Sequence, residues 1–170
     1  GIGVVIGHEM SHGFDDQGSM FDASGNMINW WTAADKAKFD ALGSKLAAQF
    51  DEVEVLPGVH ANGRYTLGEN IGDHGGLSIA YTAMENAVSG QDPMIDGFTR
   101  AQRFYLSYGA IWAQNITDQE KARLTNMDPH SLAENRVNVS LRNFQTFFDA
   151  FDIGPGDPMY RPGEERVHIW

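Results

Sequence analysis

Two histidines and a glutamate occur within five positions, in the segment His8-Glu9-Met10-Ser11-His12. Residues four apart share one face of an α-helix, so both imidazoles can reach a single metal ion if this segment is helical. Glu9 lies on a neighbouring part of that face, where its carboxylate can hold a water molecule and accept its proton. This division of roles is typical of zinc-dependent hydrolases that cleave peptide bonds. A surface helix that carries these residues by chance is the alternative, and five residues alone leave it open.

Two histidines need a third protein ligand before they can form a catalytic zinc site with an open position for water. Glu69 and Asp73 are four residues apart and are predicted to share a helix face. Glu69 would complete a set of two histidines and a glutamate, and Asp73 could accept the second N–H of a ligand imidazole. Simpler interpretations exist, because Glu69 could form a capping box with Thr66 and Asp73 could be a solvated charge. From spacing alone the two interpretations are about equally supported.

The composition limits the possible classes of protein. A chain of 170 residues with 42% hydrophobic and 11% aromatic residues fits one globular domain with a sizeable core. A net charge of −11 argues against a nucleic-acid partner, and the sequence predicts no membrane span in this segment. Because there is no cysteine, any transition-metal site must use histidine and carboxylate ligands. The cellular compartment is left open.

Cap signatures and apolar residues at helical spacing predict a mainly α-helical chain with at most short strands. The predicted helices cover residues 2–12, 32–50, 66–84, 98–115, 117–127 and 144–151. Loops or turns are predicted over residues 15–29, 56–63, 89–93 and 154–170, and weak alternation predicts an extended segment over residues 137–141. Gly72, Gly75 and Gly76 weaken the third helix, which indicates a close approach of another helix or of the metal site.

Several ordered blocks resemble the catalytic half of the neprilysin/endothelin-converting-enzyme family of zinc metallopeptidases, which includes bacterial oligopeptidases. The blocks read HEMSHGFDD at 8–16, WWT at 30–32, LGENIGDHGGL at 67–77, DPHS at 128–131, RVN at 136–138 and FDAF at 148–151, with Trp170 at the end. Gly72 stands where the family usually has alanine. The cysteines that secreted animal members carry near the final tryptophan are missing here, which indicates a prokaryotic member.

The resemblance implies a thermolysin-like zincin (gluzincin) fold, with the metal site built on the HExxH helix and a second helix that carries the ExxxD pattern. It implies that one Zn²⁺ ion is bound by His8, His12 and Glu69. Either Asp15 or Asp16 could support a ligand histidine, and the spacing does not distinguish them.

The resemblance also assigns the remaining site residues. Glu9 is implied as the general base, and Asp73 as the carboxylate behind a ligand histidine. His130 matches the family's transition-state histidine, which can stabilise an oxyanion. Arg136 matches the substrate-binding arginine, and its donors suit either a peptide carbonyl or the acidic residues of the site. Three further histidines are placed outside the site: His60, His74 and His168.

The implied function is a zinc-dependent endopeptidase that hydrolyses short peptides. Residues 1–170 would form the C-terminal part of the catalytic domain, and the upstream lobe of the same enzyme would be a partner that lies outside them. Two alternatives are a different zinc hydrolase with the same ligand types, and a non-catalytic zinc-binding fragment that needs its upstream lobe for activity. Whether residues 1–170 are part of an active enzyme or a non-catalytic fragment, we expect an exposed apolar patch beside the metal site, where the upstream lobe would pack.

Overall fold

The computed structural model describes residues 1–88, 90 and 92–169 and is mostly helical. The helices are α1 (Ile2–Ser11), α2 (Ala33–Asp51), α3 (Leu67–Ala87), α4 (Arg100–Ile111), α5 (Asp118–Met127), α6 (Ala133–Asn138) and α7 (Gln145–Phe151). Short 3₁₀ turns cover His12–Phe14, Gly18–Met20, Ser140–Asn143 and Gly163–Glu165. Strands β1 (Glu54–Leu56) and β2 (Val59–His60) form an antiparallel pair, which is the whole sheet within the described residues. The predicted mainly α fold is confirmed, whereas Trp170 and parts of the predicted loop over 89–93 lie outside the described residues.

Helix α3 lies at the centre of the fold because apolar residues along it belong to two different cores. Leu77 and Ala80 pack with Val4 of α1 and with aromatic side chains of α4 and α7. Nearer its start, Leu67 and Ile71 pack with apolar residues of α2 and of the C-terminal segment. The two cores hold α3 in place between α1 and α2, and so fix the direction in which its first turn points.

The close contact between α1 and α3 depends on glycine. A Cβ atom at Gly7 would lie 2.9 Å from the Cα atom of Gly76, and a Cβ atom at Gly76 would collide with the carbonyl oxygen of Val4. Two helices can approach this closely only where neither has a side chain at the crossing. The predicted close approach at the third helix is therefore confirmed for Gly76.

Helix caps show where local sequence signals hold. Thr32 and Thr117 accept hydrogen bonds from the backbone N–H groups of Asp35 and Glu120, as their cap signatures predict. Thr66 does not cap α3, because its hydroxyl bonds to the carbonyl oxygen of Asn62 instead. The capping-box alternative for the glutamate three residues later is therefore not realised.

The predicted extended segment over residues 137–141 is wrong. Its first two residues finish α6, and the 3₁₀ turn Ser140–Asn143 follows after one residue. The β-branched residues in this segment favour a strand locally, but long-range contacts of Arg136 with Asp73 and Tyr108 hold the chain in a helical turn. The region of predicted turns over 56–63 includes the turn and the second strand of the short β1–β2 hairpin, whose first strand begins at Glu54.

One face of α1 is apolar and exposed. Ile2, Ile6 and Met10 are four residues apart, and they are 74%, 57% and 64% exposed. This arrangement agrees with the apolar patch expected beside the metal site. Within the described residues, the helices are too short or too polar to cross a bilayer.

The α1–α3 crossing gives a direct test of the packing. Gly76→Ala should lower the free energy of unfolding by roughly 1–3 kcal/mol, since the added methyl group must push the two backbones apart. Gly109→Ala is the matched control, because Gly109 lies in α4 and a Cβ there meets nothing within 4 Å. The control should be neutral or stabilising, by at most about 1 kcal/mol. Equal effects of the two substitutions in denaturant titrations would contradict the packing argument.

Candidate metal centre

Three metal-binding side chains converge where α1 meets the first turn of α3. His8 comes from α1, His12 from the 3₁₀ turn that follows it, and Glu69 from α3; their ligand atoms all lie within 4.8 Å of one another. The Nε2 atom of His8 is 3.2 Å from Oε2 of Glu69, and the Nε2 atom of His12 is 3.6 Å from Oε1. The structure therefore brings together all three residues that the sequence suggested as ligands.

The donor set fits a zinc ion. Two imidazole nitrogens and one carboxylate oxygen are ligands that Zn²⁺ binds in catalytic sites. Oε2 of Glu69 is buried and forms no aligned hydrogen bond within the described residues, although Nε2 atoms of His8 and His130 are 3.2 and 3.3 Å away. A buried carboxylate oxygen without a bonded donor, surrounded by imidazole nitrogens, is the arrangement that a cation would complete.

A second carboxylate lies behind each histidine. Nδ1 of His8 is 2.9 Å from Oδ1 of Asp73, and Nδ1 of His12 is 2.8 Å from Oδ2 of Asp15. These contacts turn both Nε2 atoms towards Glu69. Contacts of this kind fix the tautomer and orientation of an imidazole and raise its basicity.

The choice between Asp15 and Asp16 is decided by a backbone turn. The other oxygen of Asp15 accepts hydrogen bonds from the backbone N–H groups of Gln17 and Gly18, at 2.9 and 2.6 Å. The turn aims the Asp15 carboxylate at His12, whereas Asp16 forms no contact with that histidine among the described hydrogen bonds.

Asp73 is also paired with an arginine. The guanidinium of Arg136 donates from Nε to Oδ2 and from Nη2 to Oδ1 of Asp73, at 2.7 Å each, and both side chains are buried. Burial raises the pKa of Asp73, but hydrogen bonds with His8 and Arg136 outweigh it, so that the pKa falls below its ordinary value. The sequence allowed Arg136 to bind either a peptide carbonyl or an acidic residue of the site. In the structure its donors bind the acidic residue Asp73. Its guanidinium carbon also lies 4.0 Å from the ring centroid of Trp112, in a cation–π contact.

The carboxylates determine the charge of the ligand side chains. Burial lowers the pKa of His8, but the hydrogen bond with Asp73 and the close carboxylate of Glu69 have the larger effect and raise the pKa to about 9. Burial raises the pKa of Glu69, but the close contact with His8 and the charges of the nearby histidines keep the pKa below its ordinary value. His74 shows the contrast: burial without such a partner lowers its pKa to about 4, and it packs against the ring of Phe144.

Glycine lets α3 approach the histidine closely. A Cβ atom at Gly72 would lie 2.9 Å from both Cε1 and Nδ1 of His8, so the imidazole ring contacts the backbone of α3. A side chain at this position could be accommodated only if the ring or the helix moved. The predicted approach of this glycine to the metal site is confirmed.

The remaining predicted residues surround a small cavity next to the three ligands. The cavity has a volume of about 100 Å³, and its lining includes Glu9, His130 and Arg136. Glu9 is exposed, and the His130 side chain is 48% exposed. Nδ1 of His130 lies 2.6 Å from Oδ1 of Asp128, which directs Nε2 towards the ligands.

Sequence reasoning missed two residues that contact the predicted site residues. Trp112 lines the cavity and stacks on Arg136, and Asp128 orients His130. The signal for Asp128 was available, because an aspartate two residues before a histidine can bond to its backbone and ring. Trp112 had no such signal, since its contact is with a residue 24 positions later.

A family model described as peptidase family M13 matches residues 1–167. The chain belongs to peptidase family M13. The resemblance of the sequence blocks to the neprilysin/endothelin-converting-enzyme family is therefore confirmed. Neutral endopeptidase of Lactococcus lactis subsp. cremoris is 36% identical over 170 residues, and endothelin-converting enzyme 1 of Homo sapiens is 38% identical over 174 residues. Both alignments cover 100% of this chain, but only 26% and 22% of those proteins. The chain thus spans about a quarter of the length of the curated M13 relatives it matches.

Solved structures agree with the M13 assignment. The crystal structure of Mycobacterium tuberculosis zinc metalloprotease ZMP1 with an inhibitor superposes with a TM-score of 0.97 at 42% identity. It matches 100% of this chain and 27% of that one. PepO from Lactobacillus rhamnosis gives a TM-score of 0.87 at 38% identity, over 100% and 26% of the two chains. The fold is therefore shared with zinc metalloproteases over the whole chain.

The Asp73–Arg136 pair can be tested by stability. Asp73→Asn should destabilise the metal-free protein by roughly 3–5 kcal/mol, because it leaves the guanidinium buried without its counter-charge. Asp40→Asn is the control, since Asp40 forms an exposed pair with Lys36 one turn away that is worth a few tenths of a kcal/mol. The measurement is denaturant unfolding with a chelator present. A loss for Asp73→Asn as small as for the control would show that the pair does not support the fold.

Proposed function

We propose that this chain provides the metal centre of a zinc-dependent endopeptidase that hydrolyses short peptides. The observation that carries the proposal is the convergence of His8, His12 and Glu69, with a carboxylate behind each histidine. The M13 relatives include proteins named neutral endopeptidase, endothelin-converting enzyme and zinc metalloprotease. These names support the same reaction class for a chain that shares their fold.

In this proposal His8, His12 and Glu69 hold one zinc ion. When bound, zinc acts as a Lewis acid that polarises the scissile carbonyl and lowers the pKa of water. The lowered pKa of Glu69 keeps its carboxylate charged, as a ligand requires. The ligand histidines must be neutral, so zinc binding would be coupled to release of the proton that the raised pKa of His8 favours in the absence of metal.

Glu9 is proposed as the general base. Glu9 lines the cavity next to His8 but is not among the three converging ligand residues, so its carboxylate is free of the ligand role and can accept a proton from the attacking water. The same carboxylic acid can then deliver the proton to the leaving amine. An exposed carboxylate close to the ligands can carry the proton both ways without a large change in its own position.

His130 and Arg136 are proposed to act on the substrate. His130 directs Nε2 towards the centre and bonds to Asp128 through Nδ1, so the doubly protonated ring offers an Nε2–H that can stabilise the oxyanion as water adds to the peptide carbonyl. Arg136 has five N–H donors and uses two of them on Asp73, which leaves donors for a substrate carbonyl at the cavity wall.

The exposed face of α1 is proposed to pack against polypeptide that corresponds to the remaining three quarters of the M13 relatives. The proposal rests on the high exposure of Ile2, Ile6 and Met10 and on the small share of those relatives that this chain covers. Apolar faces of this kind mark protein contacts. A second lobe over α1 would also limit access to the metal centre, so that only short peptides could reach it as substrates.

Substitution of two glutamates distinguishes the general base from a ligand. Glu9→Gln should keep zinc but lower kcat by roughly 100- to 10,000-fold, since the amide has the same shape but cannot accept the proton. Glu69→Gln is the matched control and should lose zinc as well as activity. Zinc is measured by metal analysis after dialysis, and kcat with a fluorogenic peptide. Near-normal kcat in Glu9→Gln would remove Glu9 from this role.

The apolar face of α1 should respond to charge in opposite ways in two settings. In the isolated 170-residue chain, Ile6→Glu with Met10→Glu should reduce self-association, measured by light scattering. In the full-length gene product the same pair should reduce the soluble folded yield, because it would place two charges in a packed interface. Met94→Glu, at another exposed methionine, is the control. If the full-length product gives the same folded yield with the Ile6→Glu/Met10→Glu pair as with Met94→Glu, the apolar face of α1 is not covered in that product.

A further inference from the structure

A buried cluster of three polar side chains joins the loop that carries His130 to helix α3. Ser131 Oγ donates to Oδ1 of Asn70 at 2.8 Å and lies 3.1 Å from the hydroxyl oxygen of Thr66. Nδ2 of Asn70 donates to the same Thr66 oxygen at 3.0 Å. All three residues are buried, and Asn70 is 0% exposed. None of them belongs to the proposed set of ligands or catalytic residues.

The position of this cluster along the chain gives it a specific consequence. Ser131 directly follows His130, and Asn70 directly follows Glu69. The hydrogen bond between Ser131 and Asn70 therefore limits the separation of the residues that precede them. The Nε2 atom of His130 lies 3.3 Å from Oε2 of Glu69. A buried hydrogen bond one residue away is the kind of support that can hold a half-exposed side chain at a fixed place.

Other contacts of this loop hold it less directly. Asp128 accepts from the backbone N–H of His130 and contacts its ring, but Asp128 belongs to the same loop and moves with it. The Tyr65 hydroxyl donates to the carbonyl oxygen of Met127 at 3.3 Å in an exposed position. Arg136 is anchored on α3, but it lies six residues beyond His130 along the chain. Among the described contacts, the Ser131 cluster is the buried one nearest to His130.

We propose that Ser131, Asn70 and Thr66 are positioning residues that hold His130 beside Glu69. The inference rests on the proposed function, in which His130 acts on the oxyanion. A change in the Ser131 hydrogen bond should then affect the step in which the oxyanion forms, and not the binding of the ground-state substrate. The expected signature is a lower kcat at an unchanged KM.

The first test uses single substitutions in the full-length gene product. Ser131→Ala should lower kcat about tenfold, because displacement of a catalytic group by a fraction of an ångström is costly, with KM and zinc content unchanged. Ser131→Thr keeps the hydroxyl and should recover most of the lost kcat. The control is Ser140→Ala, because Ser140 is also buried and its hydroxyl forms no hydrogen bond within the described residues. An unchanged kcat in Ser131→Ala would overturn the proposal.

The second test is a double-mutant cycle with His130→Phe, which alone should lower kcat roughly 100-fold. If Ser131 acts through His130, Ser131→Ala should cause no further loss in the His130→Phe background. An equal tenfold loss in both backgrounds would mean that Ser131 acts independently, and would overturn the inference. Normal kcat in His130→Phe alone would instead refute the proposed role of His130.

Thr66→Val provides the same cycle with a milder change. It keeps the Ser131–Asn70 bond and removes only the shared hydroxyl, so kcat should fall less than in Ser131→Ala. If Ser131→Ala does not fold, as judged by thermal unfolding, Thr66→Val carries the test. A loss for Thr66→Val that persists in the His130→Phe background would count against positioning.

Discussion

The buried carboxylate of Asp73 is the interaction on which the rest of the centre depends. An unpaired charge at 1% exposure would be strongly unfavourable, so the fold must supply partners for it. Arg136 from α6 and His8 from α1 both bond to it, and Asp73 itself lies on α3. One carboxylate therefore fixes three helices relative to one another. The direction of the His8 ring and the position of the arginine are both consequences of satisfying this charge.

Local patterns predict the helices of this chain well, because caps and apolar spacing act over a few residues. Thr32 and Thr117 cap their helices, as the residues that follow them predict. Thr66 has an equally good cap signature, yet its hydroxyl bonds to Asn62 and accepts from Asn70. The segment over 137–141 fails for a similar reason, since distant contacts of the preceding arginine outweigh its β-branched residues. The misses occur where tertiary contacts compete with a local preference.

The site was predictable in its residue types and less so in its orientation. The two histidines at helical spacing and the ExxxD pattern suggested the ligands, but the family resemblance was needed to prefer them over the simpler interpretations and to add His130 and Arg136. Nothing in the spacing distinguished Asp15 from Asp16, because the choice depends on two backbone N–H groups in the turn that follows. Trp112 was not predictable as a neighbour of the centre, because it reaches the centre through the packing of one element on another. Ser131 follows His130 in the sequence, but its bond to Asn70 depends in the same way on how the loop packs on α3.

The lack of a side chain at Gly72 has a consequence for the conformational entropy of the centre. With its ring against the α3 backbone and its Nδ1 bonded to Asp73, His8 has few rotamers available once the chain has folded. The conformational entropy of this side chain is therefore lost during folding, and the favourable packing of the helices offsets that loss. A metal ion that binds to the folded chain meets an imidazole that is already oriented. Little of the binding free energy is then lost in restraining that side chain.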